Sequence, residues 1–589
     1  MIYLKIKKRN DNQIVNEQLE TLRHSTAHIM AQAVSMLFPQ TKFGIGPAIS
    51  DGFYYDFDLP VPLSPEQLSE IEKKMQSIIK ANLAFEQTMM EKSKAIDFFS
   101  QKGERYKVEI IQGIPDDEVS IYQQGDFIDL CRGPHIKSTG MVKAFKLLSI
   151  AGAYWRGDEK NSMLTRIYGT AFETTEELEK YLYQIEEAKK RDHRKLGKEL
   201  GIFQVYDEAG PGLIYYHPKG AIVREEICRF LRLEHAKREY LEVVTPNIAR
   251  VDLWKTSGHY DFYRENMYFM NVDNMEYVLK PMNCPGHILI YKSHTKSYRD
   301  LPLRLFELGT VYRHERSGVL HGLLRVRGFT QDDAHIFCTR EQLKDEIQQV
   351  LEFIINTLVS FGFKEYEIYL STRPEKYTGS DEIWDMATSA LEMSLKEKGL
   401  PYQIDPGEGV FYGPKIDIKL KDALSRTWQG PTIQVDFNLP ERFNVTYVGQ
   451  DGKEHQPVMI HRVVLGSLER FMGALIEHYA GAFPLWLSPT QVLIATITEK
   501  HKQYGEYIKN QLSANQIRCS MDSRNEKIGF KIREAQLQKL PYVLILGDNE
   551  EQNKTVSIRK RGGKDLGQMT IEDFISVVST EIREKNVDI

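Results

Sequence analysis

The chain has 589 residues, 41% hydrophobic and 27% charged, with a formal net charge of −5. That length exceeds what one core can hold and implies several domains, while the composition excludes a disordered or fibrous chain. The negative balance excludes blanket attraction to nucleic acid, so any RNA contact falls to local basic runs such as residues 189–195 (KKRDHRK) and 559–564 (RKRGGK).

Five scattered cysteines (Cys131, Cys228, Cys284, Cys338, Cys519) show no CxxC pair, which fits a reducing compartment without a disulfide framework. The N-terminus MIYLKIKKRN lacks an apolar leader, and no stretch approaches the roughly 18 apolar residues of a membrane span. A cytoplasmic protein with no membrane association is expected.

In chain order, Ile2, Leu4 and Ile6 alternate and predict one short strand. From Leu22 to about Gly169, helical and strand patterns mix. Thr174 and Glu177 then form a capping box that opens a helix. Its thin apolar stripe, Leu178, Leu182 and Ile185, suits a connector running toward Gly201. Residues 202–487 hold strands between irregular Gly-containing loops without βαβ alternation, which predicts an antiparallel sheet flanked by helices. From Ser488, apolar strands near 492–497, 543–546 and 556–558 alternate with amphipathic helices near 501–514, 525–539 and 570–584, a small α/β domain.

Three groups of residues carry chemistry. His24 and His28 in RHSTAHIM face one side of a helix, and Cys131 and His135 recur in DLCRGPHI, with Asp129 alongside. By ligand type these four make a competent zinc set, and the bland alternative is four side chains with no joint role. Residues 301–337 (LPLRLFELGTVYRHERSGVLHGLLRVRGFTQDDAHIF) run from a strand carrying Glu307 into an Arg- and Gly-rich loop, then return through Gln331, Asp332, Asp333 and His335. Arginines at fixed points on a hairpin grip phosphate oxygens without losing charge. Finally, Cys284 in MNCPGH, His335, and His461 in MIHRVVLGSLER are metal-ligand types that no local spacing links.

The run 301–337 closely resembles the second signature motif of class II aminoacyl-tRNA synthetases, in the form that threonyl-tRNA synthetases carry. Residues 466–470 (GSLER), opening an apolar helix, resemble the third motif, and residues 242–246 (EVVTP) resemble the first. The resemblance covers the chain from about residue 20 and implies an α+β multidomain protein. Residues 1–172 would be an N-terminal α/β editing domain, 173–201 a linker helix, 202–487 a class II antiparallel-sheet catalytic core, and 488–589 an α/β anticodon-binding domain. Residues 1–20 are too short for the ubiquitin-like β-domain that usually precedes the editing domain, which leaves that module's role in doubt here.

As a family member the chain would join threonine to tRNA(Thr), using ATP with Mg²⁺ and one Zn²⁺ per subunit, as a homodimer. Cys284, His335 and His461 coincide with the family's zinc ligands, leaving an open coordination position. An apolar pocket separates threonine from isosteric valine by little more than about a hundredfold. Zinc binding both the amine and the hydroxyl leaves valine one ligand short, but serine still passes. Arg313 would hold the α-phosphate and Arg325 the β,γ-phosphates, with Arg470 the second phosphate-binding arginine. Met282, Gln331, Asp333, Tyr412, Lys415, Gln429, Thr432, Gln434 and Ser467 fall where the family lines its threonine, adenosine and tRNA-end pocket.

Alternation along TIQVDF puts Thr432, Gln434 and Asp436 on one strand face. In the family, the cluster of His24, His28, Cys131 and His135, with Asp129, works without metal to hydrolyse mischarged seryl-tRNA, which answers the serine problem. Asn525, Glu550 and Arg559 fall near anticodon-reading positions. Three other readings compete. A different class II synthetase would lack the joint presence of Cys284, His335 and His461, and a synthetase-like RNA-binding regulator typically loses the phosphate-gripping arginines or the ligands. A stand-alone tRNA deacylase would not need residues 202–589.

Overall fold

The computed structural model describes residues 2–424 and 426–587, with side chains from Glu17 onward. The chain divides into two compact units, one ending at Glu186 and the other beginning at Glu187.

The first unit opens on the long helix Ile2–Leu37. The alternation at Ile2, Leu4 and Ile6 does not make a strand. Three alternating residues have no neighbouring strand to pair with, and the Lys-, Gln- and Glu-rich sequence that follows continues a helix. From Leu22 to Val34 this helix is buried on most sides, where the small Ala27, Ala31 and Ala33 let it lie against Phe53, Tyr55 and Phe57. Those aromatics come from Gly52–Asp58, which pairs with Lys42–Phe43 on one side and Met163–Phe172 on the other, with Ala144–Tyr154 beyond. A separate three-stranded antiparallel sheet (Glu86–Glu91, Glu118–Gln124, Phe127–Leu130) delivers Asp129 and the segment after it.

The capping box is present: the Glu177 amide donates to Thr174 Oγ1 and the Thr174 amide to Glu177 Oε2, both at 3.2 Å. Its helix Thr175–Arg191 does not run on to Gly201, however. Asp192 breaks it and caps a second helix, His193–Glu199, by accepting from the Arg194 amide at 2.8 Å.

The second unit is built on an eight-stranded sheet in the order Leu241–Glu242, Leu303–Tyr312, Gly328–Cys338, Val458–Ser467, Thr427–Asp436, Lys415–Lys421, Tyr366–Ser371 and Gln403–Asp405. Its centre is antiparallel and only the outermost pairs are parallel, the class of sheet the loop pattern predicts. Helices Pro218–Ala236, Leu343–Ser360, Asp381–Glu397 and Leu468–His478 cover one face and bury Ile347, Ile354, Leu391 and Leu475 against it. The other face carries polar side chains beside a smaller apolar cluster, in which Leu305, Phe337 and Met459 pack with Ile288 and Tyr291 of the helix Cys284–Tyr291. At the C-terminal end, Val492–Thr496, Tyr542–Leu546 and Thr555–Lys560 form a sheet with Cys519–Asp522 and Asp565–Thr570 around its own core.

Candidate functional site

Period-two alternation on Gly328–Cys338 puts Gln331, Asp333 and His335 on one face. Antiparallel register then aligns His335 with His461, His461 with Gln434, and Gln434 with Lys415 across four neighbouring strands. Cys284 arrives from the first turn of the helix Cys284–Tyr291. Residues scattered over some 180 positions thus converge. The ligating atoms of Cys284, His335 and His461 lie within 4.8 Å of one another, and all three side chains are buried.

The outer bonds fix the ring tautomers. Glu307 can only accept, so His287 donates Nε2–H to Glu307 Oε2 (3.1 Å) and its Nδ1 accepts from His335 Nδ1 (2.7 Å). This leaves His335 Nε2 unprotonated. His461 likewise donates Nε2–H to Asp436 Oδ2 at 2.9 Å, leaving Nδ1 unprotonated. Glu307 is held by Lys280 Nζ (3.1 Å) and the Thr245 amide (3.0 Å). Burial raises its pKa, but the bonds from His287, Thr245 and Lys280 prevail and bring it to about 2.

Burial also pushes the Cys284 thiol well up and His335 well down. Two imidazoles backed by carboxylates, beside a buried thiol, fit the donor set and support of a zinc centre.

A cavity of about 230 Å³ opens beside these three residues, lined also by Met282, Arg313, Gln331, Asp333, Tyr412, Thr432 and Gln434. Asp333 Oδ2 accepts from Asn283 Nδ2 at 3.0 Å, and Tyr412 donates to Gln434 Oε1 at 2.6 Å. Lys415 and Gln429 do not line this cavity. Both bind buried Asp417, at 2.7 and 3.0 Å, as does the Thr432 hydroxyl at 2.8 Å. Asp417 went unnoticed in the sequence, although it alternates with Lys415 in KIDIK.

Arg313, Arg325 and Arg470 form a cationic group at the hairpin loop. Burial and the charges of Arg313 and Arg325 together depress the Arg470 pKa. Among the described residues, their nearby carboxylate is Glu315, 3.0 Å from Arg325. Arg470 sits in the first turn of Leu468–His478, whose N-cap Ser467 accepts from the Arg470 amide at 3.2 Å. Opposite Gln331 and Asp333 the strand Val458–Ser467 bulges, and Asp332, which alternation turns inward, accepts from the bulge amides of Val464, Leu465 and Gly466 and sets the approach to Ser467. Burial pushes Asp332 up to about 7, although Arg462 and the three amides favour the charged form.

In the first unit, His24, His28, Cys131 and His135 also converge to within 4.8 Å. Cys131 Sγ is 3.2 Å from both His24 Nε2 and His135 Nε2. Ser25 donates its hydroxyl to the Thr21 carbonyl (2.8 Å), so its Oγ accepts from His135 Nδ1 (3.0 Å), leaving His135 Nε2 to face the thiol as an acceptor. Burial pushes Cys131 up to about 11 and pushes His24, His28 and His135 down. Asp129 is 3.8 Å from His28 but binds Lys107 Nζ and Tyr55 Oη, both at 2.5 Å. His24, His28, Asp129 and Cys131 line a cavity of about 540 Å³ together with Lys107. Lys107, Tyr55 and Ser25 carried no local signal in the sequence.

In the C-terminal sheet, Asn525 is exposed in the loop before Ile528–Leu537, and Arg559 lies 3.8 Å from Asp565. Glu550 is buried, both oxygens engaged by the Gly547 amide, Ser557 and Gln568 at 2.7–2.8 Å. It braces the sheet end rather than projecting from it.

Residues 268–479 match the class II core domain of tRNA synthetases (G, H, P, S and T), residues 491–581 an anticodon-binding domain, and residues 119–168 the second additional domain of threonyl and alanyl tRNA synthetases. The chain is 57% identical to a threonine–tRNA ligase of Oleidesulfovibrio alaskensis over 96% of its length and 88% of that protein. It is 58% identical to one of Citrifermentans bemidjiense over 96% and 89%. A crystal structure titled the RNA binding domain of threonyl-tRNA synthetase from Cryptosporidium parvum superposes with a TM-score of 0.65 at 43% identity, covering 66% of this chain and 98% of that one.

Proposed function

This chain belongs to the threonine–tRNA ligases, ATP-dependent class II enzymes, and on that footing we propose a role for each part of its two histidine–cysteine clusters. In the second unit, Cys284, His335 and His461 hold one zinc per subunit, which supplies a Lewis-acid anchor for the amine and hydroxyl of threonine. Asp333, Tyr412 and Gln434 complete the amino-acid pocket. The threonine carboxylate attacks the α-phosphorus of Mg²⁺-bound ATP and pyrophosphate leaves. Arg313 and Arg470 stabilise the charge developing on the α-phosphoryl oxygens, and Arg325 holds the leaving phosphates. Gln331, Lys415, Gln429, Thr432 and Ser467 line the adenosine and tRNA-end side. A ribose hydroxyl of the terminal adenosine of tRNA(Thr) then takes the threonyl group and AMP leaves.

In the first unit, the match to the second additional domain supports hydrolysis of seryl-tRNA. Neutral His24, His28 and His135, held by Cys131 and Ser25, orient water at the ester, with Asp129 ordering Lys107 and Tyr55. Asn525 and Arg559 belong to the anticodon-facing side of the C-terminal domain, and buried Glu550 supports that side from within. Val244, exposed at 85% in the first-motif segment, and Leu241 just before it, exposed at 56%, support a homodimer. We assign the enzyme to the cytoplasm, where translation consumes its product. The domain limits remain those read from the sequence: 1–172, 173–201, 202–487 and 488–589.

The observation that carries this reading is the convergence of Cys284, His335 and His461 on a cavity that Arg313 also lines. ATP–pyrophosphate exchange with threonine, serine and valine tests it. Threonine supports exchange, serine supports less, and valine falls below threonine by more than the roughly hundredfold an apolar pocket allows. Valine exchange within about tenfold of threonine contradicts selection at a metal centre.

A further inference from the structure

We propose that His193, at the start of the helix after the chain's break at Asp192, is a positioning residue for ATP. It holds the loop of Arg325 and the side chain of Arg470 in one arrangement. His193 is fully buried and stands outside every signature motif. A backbone N–H can only donate, so the Leu323 amide, 3.0 Å away, donates to His193 Nε2. The ring proton is therefore on Nδ1, which donates to Glu477 Oε1 at 2.7 Å, and the His193 amide donates to the same oxygen at 3.1 Å.

Glu477 and Arg470 lie seven residues apart on the helix Leu468–His478, two turns along one face. The circuit closes one residue beyond Leu323, where Arg470 Nε donates to the Leu324 carbonyl at 3.1 Å. The next residue is Arg325. One imidazole thus ties the last turn of the third-motif helix to the second-motif loop, and the loop ties back to the helix's first turn.

Close packing shows that the circuit is built in. A Cβ at Gly322, whose φ is +48°, would stand 2.1 Å from His193 Nε2. A Cβ at Gly473 would meet the side chains of Leu324 and Leu323 at 3.0 and 3.3 Å. Glycine at both places lets the loop lie on the ring and on the helix. No bond in the circuit reaches the threonine side of the pocket, so its loss falls on ATP.

The inference rests on the proposed phosphate roles of Arg325 and Arg470, and the test separates the two. Steady-state exchange is measured on the full-length native protein and on His193→Phe, His193→Gln and Arg470→Ala, titrating ATP and threonine separately. His193→Phe keeps the ring but leaves the Leu323 amide unpaired, and raises KM for ATP about tenfold, with KM for threonine within about twofold. Glutamine returns an acceptor to the Nε2 position, so His193→Gln recovers most of the loss. Seryl-tRNA hydrolysis by the same preparations stays at the native rate.

The inference is overturned if His193→Phe leaves KM for ATP within about twofold, or if both KM values and the melting temperature shift together with no recovery in His193→Gln. Native-level exchange in Arg470→Ala would instead overturn the phosphate reading beneath it.

Discussion

The two histidine–cysteine clusters use the same residue types but differ in what stands behind the imidazoles. In the second unit, His335 leans through His287 on Glu307, and His461 leans directly on Asp436. In the first unit, His135 leans on the Ser25 hydroxyl, which donates its own hydrogen bond to the Thr21 carbonyl. The carboxylate that could have backed a ligand there, Asp129, is bound by Lys107 and Tyr55. Carboxylate-backed imidazoles suit a metal, whereas an imidazole backed by a hydroxyl beside a protonated thiol suits the orientation of a neutral water. A donor set alone therefore does not tell a metal centre from a metal-free one, and the proposed assignment rests on the second layer of hydrogen bonds.

The largest effect that sharpens this contrast is expected from the pair His24→Ala, Cys131→Ala. Seryl-tRNA hydrolysis should fall on the order of a hundredfold or more, the usual range for positioned acid–base groups. Threonine-dependent exchange in the same variant should stay native. Unchanged hydrolysis would dismiss the first cluster as the hydrolytic site.

A middle-sized effect is expected from Asp436→Asn, which keeps the size but weakens the bond to His461. Zinc affinity should drop roughly 10–100-fold, as for other carboxylate–histidine supports, and competition with a chelator measures it. Affinity equal to the native protein would remove Asp436 from the support.

The smallest effect concerns pH. Burial holds His24, His28 and His135 below the ordinary histidine value of 6.5, so the folded site stays neutral where free histidine gains a proton. Hydrolysis per folded molecule should then change less than about twofold between pH 7.5 and 6. Stability shows the opposite sensitivity. Below pH 6.5 the unfolded chain binds protons that the folded unit refuses, so stability declines as pH falls through that value toward the lowered folded pKa. A histidine-type fall in hydrolysis centred near 6.5 would show that the rings titrate freely.

The comparison also shows how far a sequence speaks. The hairpin 301–337, the capping box at Thr174, and the C-terminal strands and helices were legible because their signals are local: alternation, caps and motif order. The pairing of Cys284 with His335 and His461 was legible only through resemblance. Its geometry depends on the registers of three strands whose partners lie far apart in the chain.

The second layer was not legible at all. Asp417, Asn283, Ser25 and Lys107 are ordinary polar residues in their own segments and take on a role only when a distant strand or helix turns toward them. His193 was hidden inside a basic run that reads as a solvated face, yet it is buried, and the helix break at Asp192 turns it inward.

The central claim is that only the carboxylate-backed cluster holds a metal, and counting zinc per chain tests it most directly. The native protein, Cys131→Ser and Cys284→Ser would be purified without chelator and assayed by elemental analysis. One zinc per chain is expected in the native protein and in Cys131→Ser, with none in Cys284→Ser. Two per native chain, or loss of metal from Cys131→Ser with retention in Cys284→Ser, would contradict the claim and move the metal to the first cluster.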